Sequence, residues 1–324
     1  MTEIDRPDMA PRKLSRRRVL VGGGIGGALA LTGGAAWAAD RFLIEHVEVT
    51  SASSLYEDTT TTSTATSSSS ASATTSTDTS WAGATGSVQL TSVTTGSGST
   101  AVAYFVADIT LASPTGLRSA FAKDTFGENV IEVPSVMAQR VGAVCAINGD
   151  YYGFRTTGIE IRNGATFRDK GARQGLVIGK DGSFRLYDET TTNAAQLLAD
   201  GAWQTLSFGP GLVDGGAVLS GIDKVEIDTN VGNHSIQGYQ PRTAIGMIAP
   251  GHVVFVVVDG RSTGYSRGMT LPELARVMKD LGCQVAYNLD GGGSSALWFN
   301  GDIRNKPGGT DNERGTSDIF YLGA

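Results

Sequence analysis

The 324-residue sequence is short of the residues that build metal centres and disulfide scaffolds, with two cysteines and three histidines. Cys145 and Cys283 are too few for a disulfide framework. Each lies in an apolar stretch just before a glycine-rich motif, so buried thiols are expected, with a single disulfide as the alternative. His46 falls outside the expected domain, and His234 and His252 have no neighbours at ligand spacing, which argues against metal-dependent hydrolysis. Basic residues are also scarce: beyond residue 41 there are 19 Lys/Arg against 28 Asp/Glu, a formal charge of −9. Such a chain has no global electrostatic footprint for nucleic acid, so recognition of an anion must fall to a few local arginines. No cofactor is required by any motif; a structural divalent cation is compatible with the Asp-bearing loops, although no contiguous calcium-loop pattern occurs. Gly22, Gly24 and Gly27 spell G-x-G-x-x-G, but a basic cluster precedes them where a dinucleotide fingerprint needs a strand.

What is present begins with an export segment. Arg16, Arg17 and Arg18 precede an apolar, glycine-rich run from Val19 to Ala39, and Ser15 to Leu20 has the order of a twin-arginine signal. The run is also long enough, at roughly twenty residues, to span a bilayer. Residues 1–41 are therefore read as a cleaved signal or a membrane anchor, the one expected membrane contact. Small hydroxyl residues dominate Ser51 to Ser80 and leave little to bury, so residues 42–86 are read as a Ser/Thr-rich linker and residues 87–324 as one domain.

Within that domain, "STAVAYFVADITL", "VGAVCAING", "GLVIGKDGSFRLYD", "TAIGMIAPGHVVFVVVDG" and "TSDIFYLG" carry the strand signature, with "KDGS" and "APGH" as hairpin connections. "VPSVMAQRVG", "TTNAAQLLADG" and "TLPELARVMKDLG" repeat apolar residues at helical spacing. The last has Thr270 as N-cap, Pro272 in the first turn, Glu273 at the capping-box position and Gly282 as the stop. Hairpins interleaved with few helices predict an α+β fold, a single domain with a mixed β-sheet core and a few packed helices. "HVVFVVVDG", the helix and "CQVAYNLDGGG" read as a local crossover. If the two strands are parallel neighbours, Asp259 and Asp290 emerge at one sheet edge, where open sheets bind ligands.

Four stretches share one grammar, an apolar strand followed by polar and glycine residues: "AINGDYYG", "QPRTAIG", "VVVDGRSTGYSRG" and "NLDGGGSS". Taken alone, Asn148-Gly149 or Asp259-Gly260 is an ordinary turn, and Arg242 an ordinary surface arginine. Asp290 before three glycines is harder to read as structural, because consecutive glycines forgo packing unless the backbone must approach something closely.

In order and spacing these motifs resemble the phosphodiester glycosidase family, over approximately Val102 to Leu322. The resemblance implies hydrolysis of a sugar linked through its anomeric carbon to a phosphodiester. That chemistry passes through an oxocarbenium-like transition state and needs a carboxylate, and the phosphate needs a guanidinium fork. On this basis Asp290 and Asp259 are the first carboxylate candidates, with Asp150 and Glu160 behind them. Arg242 and Arg314 are the phosphate candidates. Asn148, Asn288, Thr243 and Ser294 are candidates for substrate hydrogen bonds, and Gly291, Gly292 and Gly293 for a backbone anion nest. Asp150 stands where the animal members have glycine, and their cysteine-rich modules have no counterpart. An exported bacterial member is thus expected to meet a phosphate-linked carbohydrate of the cell envelope, a wall polymer or an exopolysaccharide. The alternatives are a tethered, non-catalytic glycan-binding module, a serine hydrolase using Ser294 with His234 or His252, and a metal-dependent phosphodiesterase.

Overall fold

The computed structural model describes residues 44–57, 74–227 and 235–324. The expected export segment, much of the expected linker and His234 lie outside the described residues. From Glu45 onward the chain forms one compact unit. In chain order the elements that frame the site are strand β1 (Val102–Leu111), helix α1 (Pro134–Arg140), strands β2 (Ala143–Asn148) and β3 (Gly158–Arg162), helix α2 (Ala194–Ala199), strands β4 (Arg242–Ala249) and β5 (His252–Val258), helix α3 (Leu271–Asp280), and strands β6 (Val285–Leu289), β7 (Leu297–Phe299) and β8 (Asp318–Gly323).

A nine-stranded sheet carries β6, β4, β5 and β1 side by side at its centre, and a five-stranded sheet carries β7, β2 and β8. Alternation along β5 shows how they pack. Val253, Phe255 and Val257 face one way and join Cys145, Ile147, Leu297, Phe299 and Phe320 of the second sheet in a buried core. Val254, Val256 and Val258 face the other way and pack under Leu271, Leu274, Ala275 and Met278 of α3. A strand buried on both faces cannot alternate polar with apolar residues, and "HVVFVVV" does not.

α3 is capped as its sequence dictates. Thr270 accepts from the Glu273 N–H, and the Glu273 carboxylate returns to the Thr270 N–H at 2.9 Å. The expected strands, hairpins and helices all form, and the fold is α+β in a single domain. Every strand pairing of the nine- and five-stranded sheets is antiparallel. Strand directions mix only at one remove: β5 and β6 each pair antiparallel with β4, which lies between them, and so run parallel to each other. The crossover therefore skips one strand, a difference from the expected neighbours.

Structure also begins earlier than the expected domain start at 87. His46–Thr50 pairs with Thr125–Glu128, and Thr75–Ser76 and Ser80–Gly83 extend the nine-stranded sheet. Residue 87 itself falls inside the strand Gly86–Thr95. Cys145 and Cys283 are buried free thiols, one in the core between the sheets and the other under α3.

Candidate active site

Strand register gathers the site. Arg242 opens β4 opposite Val258, the last residue of β5, and Thr243 pairs with Leu289, the last residue of β6. Asp259 and Asp290 thus leave the sheet on either side of Arg242, at one edge. The second sheet brings Asn148, at the end of β2, to the same place: its Nδ2 donates to the Asp290 carbonyl at 2.8 Å. Asn148 Oδ1 accepts from Thr243 Oγ1 at 2.7 Å and from the Ala296 N–H at 3.2 Å. This one buried amide ties β2, β4 and the glycine turn together.

At that edge lies a cavity of about 260 Å³. Arg242, Arg261 and Arg314 line it with Asp290, its one carboxylate among the described residues. Tyr151 and Phe208 form an aromatic wall, edge to face at 6.1 Å, and Phe154 stacks behind Tyr151 at 4.8 Å. The turn Gly291-Gly292-Gly293 supplies part of the lining. A Cβ at Gly291 would meet the Pro241 carbonyl at 2.7 Å, and one at Gly292, where φ is +62°, would meet Arg261 Nη2 at 3.1 Å. The glycines let two loops and an arginine close over the turn. The Gly292 N–H donates to the Pro241 carbonyl at 3.0 Å, so it is committed to the fold and is not free for an anion nest.

Two of the three arginines are held by neutral acceptors. Arg242, 3% exposed, donates from Nε to the Met269 carbonyl at 2.9 Å and from Nη2 to the Gly238 carbonyl at 2.8 Å. Burial, with the nearby Arg261 charge, pushes its pKa down to about 10. Arg261 donates from Nε and Nη2 to Gln240 Oε1 at 3.1 and 2.8 Å. Arg314 lies 3.8 Å from Asp290 Oδ2, within Coulombic reach but beyond hydrogen-bonding distance. Burial pushes the Asp290 carboxyl above its ordinary pKa, against the pull of Arg314.

The other candidates fall elsewhere. Asp259 is buried, and its Oδ1 accepts from Asn305 Nδ2 at 3.0 Å and the Lys306 N–H at 2.9 Å, its Oδ2 from Tyr265 Oη at 2.8 Å. It pins a loop instead of lining the cavity. Asp150 and Glu160 sit in a closed charge cluster. Asp150 Oδ1 takes Arg155 Nη2 at 2.6 Å, and its Oδ2 takes the Ser207 N–H at 2.5 Å. Arg162 Nη2 lies 2.9 Å from Glu160 and 3.0 Å from Asp318. Burial alone would raise the Asp150 pKa, yet Arg155, Arg162 and the Ser207 N–H hold it below the ordinary range. Burial and the Asp150 charge push Glu160 up to about 8, and burial pushes Asp318 up to about 6.

Asn148, Asn288, Thr243 and Ser294 are buried and do not line the cavity. Asn288 Nδ2 donates to the Gly209 carbonyl at 2.8 Å, and the buried Ser294 hydroxyl lies against the Asp290 carboxylate, where it works against the rise in that group's pKa. His252 Nε2 pairs with Asp108 at 2.7 Å at the start of β5, about 20 Å of strand away from Asp259, so it forms no triad with Ser294. No group of three or more His, Cys, Asp or Glu among the described residues is arranged to hold a metal ion. The lining residues missing from the sequence-derived site include Arg261, Tyr151, Phe208 and Gln240. Arg261 follows Asp259 by two residues within a motif already singled out, which was its available signal.

The described geometry can be set beside known proteins. A sequence profile described as phosphodiester glycosidase matches residues 141–322. The SPbeta prophage-derived protein YomE of Bacillus subtilis is 31% identical over 189 residues, covering 56% of this chain and 28% of YomE, so the chain spans little more than a quarter of that relative. The auto-inhibited catalytic domain of zebrafish N-acetylglucosamine-1-phosphodiester alpha-N-acetylglucosaminidase shares the fold, with a TM-score of 0.59 and 22% identity over 74% of this chain and 84% of that domain.

Proposed function

The chain belongs to the phosphodiester glycosidase family, and from that premise we propose that the cavity at the sheet edge cleaves the bond between an anomeric carbon and a phosphate, with Asp290 as the reacting carboxylate. The observation that carries this reading is one largely buried carboxylate set among three arginines beside an aromatic wall. Arg242 and Arg261 bind the phosphate as guanidinium forks, and Tyr151 and Phe208 offer a flat apolar surface for a sugar ring. The departing phosphate is a weak base and leaves without a strong acid, which fits a cavity lined by one carboxylate. Asp290 orients a water toward C1 and takes its proton as the C1–O bond breaks and the electron pair leaves with the phosphate. Its raised pKa makes it a better base than an ordinary aspartate. The arginine triplet and apolar run of residues 1–41 support export, and a phosphate-linked glycan of the cell envelope is the substrate that fits such a location. Among the described residues no helix is long and apolar enough to cross a membrane.

The test is turnover of a GlcNAc-1-phosphodiester and a panel of other glycosyl phosphodiesters, following free sugar and phosphate monoester, with and without EDTA. Turnover that survives EDTA and falls at least ~1,000-fold in Asp290→Asn supports the reading. Saturable binding of these compounds by the wild-type protein, with no turnover across the panel, would replace it with a glycan-phosphate binding module.

A further inference from the structure

Arg314 is kept in the cavity by different means from the other two arginines. Hydrogen-bond acceptors fix the guanidiniums of Arg242 and Arg261 directly. Among the described residues, the Arg314 guanidinium has one ionic partner, Asp290 at 3.8 Å, and its side chain is 54% exposed. A long side chain with so little to hold it loses its place easily, because ordering it costs rotamer entropy that no hydrogen bond returns. Its lower part runs along the glycine turn, where a Cβ on Gly293 would stand 3.3 Å from Arg314 Cδ. What remains to place the charge is the backbone that carries it.

That backbone is gripped on both sides by the entry to α1. Val133, the N-cap of α1, offers no side-chain acceptor to the first turn. Glu313 supplies one from 178 residues further along the chain: its Oε1 accepts from the Ser135 N–H at 2.8 Å, and its Oε2 from Ser135 Oγ at 2.5 Å. On the other side of Arg314, the Thr316 N–H donates to the Glu132 carbonyl at 2.9 Å, and the Thr316 carbonyl accepts from the Glu132 N–H at 3.1 Å. Between them Gly315 lies against Ile131, whose Cδ1 would be 3.0 Å from a Cβ at that position. Residues 131–135 thus form a plinth under residues 313–316, and the Glu313 pair is its only side-chain tie to Ser135 among the described residues.

We propose that Glu313 is a positioning residue: its two hydrogen bonds to Ser135 fix the chain on which Arg314 stands and so keep that guanidinium beside Asp290. The inference rests on the reading of Asp290 as the reacting carboxylate and deepens it. Burial raises the Asp290 pKa, Arg314 pulls it down and Asp150 adds to the rise, with Arg242 and Arg261 lining the same cavity. Release of Arg314 therefore raises the Asp290 pKa and leaves less of the base ionised at neutral pH. Loss of the Glu313 charge alone acts in the opposite sense, because removing a nearby negative charge favours ionisation of a carboxyl. The direction of the shift separates the two effects.

The carboxyl-carbon resonance of Asp290 in full-length protein labelled with 13C-aspartate, assigned by its loss in Asp290→Asn, follows this titration without any substrate. Glu313→Ala should raise the Asp290 midpoint in the same sense as Arg314→Met, and should add nothing further in an Arg314→Met background. Glu313→Gln removes the charge but keeps groups that reach both the N–H and the hydroxyl of Ser135, so it should not raise the midpoint. Ser135→Ala, which loses one of the two bonds, should give a smaller rise and decides on the same criterion if Glu313→Ala does not fold. With a GlcNAc-1-phosphodiester at neutral pH, kcat/KM should fall about 10-fold in Glu313→Ala and less than about 3-fold in Glu313→Gln. An Asp290 midpoint that Glu313→Ala leaves unmoved or lowers overturns the proposal and reduces Glu313 to a cap for α1, visible only as a lower urea midpoint. A raised midpoint without turnover of any glycosyl phosphodiester would overturn the glycosidase reading and leave this one standing.

Discussion

The cavity and the buried cluster around Arg162 are made of the same side chains and do opposite things with them. In the cluster, Asp150, Glu160 and Asp318 surround Arg155 and Arg162, and every one of these carboxyl groups lies within 4 Å of a guanidinium. Asp318 also accepts from the Asp150 N–H at 2.8 Å, which binds the β2 end to the start of β8. In the cavity, three arginines face one carboxylate, and neutral acceptors hold two of them. A cluster whose charges satisfy one another has little left for a ligand. A site whose charges are oriented but unmatched is prepared for one. Asp150 and Tyr151 show how sharp the division is: they are adjacent in the chain, yet Tyr151 lines the cavity while Asp150 is locked in the cluster.

The sharpest way to break the comparison is to remove one arginine from each region. Arg162→Met leaves three buried carboxylates without their shared cation and should cost about 3–5 kcal/mol of stability. Arg242→Met removes an unmatched charge, so its stability change should stay below about 2 kcal/mol while kcat/KM falls about 100-fold. Urea unfolding and steady-state kinetics on both variants would show the two regions to be alike if the losses came out equal.

A smaller effect should appear in the pH dependence of stability. The folded state raises the Glu160 pKa to about 8, so between its ordinary value of ~4.3 and 8 the native protein holds a proton that the unfolded chain has lost. Stability therefore falls as pH rises through that window. Asp318, raised to about 6, adds to the fall over the lower part of the window. Asp150, held low, acts in the opposite sense and only at more acid pH. The urea midpoint followed from pH 4.5 to 8 should slope downward in the wild type and markedly less in Glu160→Gln. An unchanged slope in the variant would mean that Glu160 is not the proton's site.

The smallest effect belongs to a residue in neither region. His252→Ala breaks a part-exposed pair with Asp108 and should alter stability by under about 0.5 kcal/mol, with turnover unchanged. A large loss of activity would return His252 to the reaction.

Local structure was legible because it is encoded locally. The Thr270–Glu273 capping box, the Gly-bearing hairpins and the two-sided apolar run of β5 each follow from a few consecutive residues. The sequence by itself also determined the family motifs, and its strand-helix-strand pattern pointed to a shared sheet edge for Asp259 and Asp290; strand register then put Arg242 between them. Only the tertiary structure decided which motif residues face the cavity. Asp259 and Asp290 follow strands of the same sheet that run in the same direction. One is consumed by Asn305, Lys306 and Tyr265, and the other stands open to Arg314. Asp150 and Glu160 are drawn inward by arginines 5 and 2 residues further along the chain, and Arg261 is turned into the cavity by an amide 21 residues before it. The physical reason is that the availability of a charged group depends on how many opposite charges and dipoles the folded chain brings within a few ångströms of it. Contacts from several separate strands and loops fix that number, and no single stretch of sequence contains it.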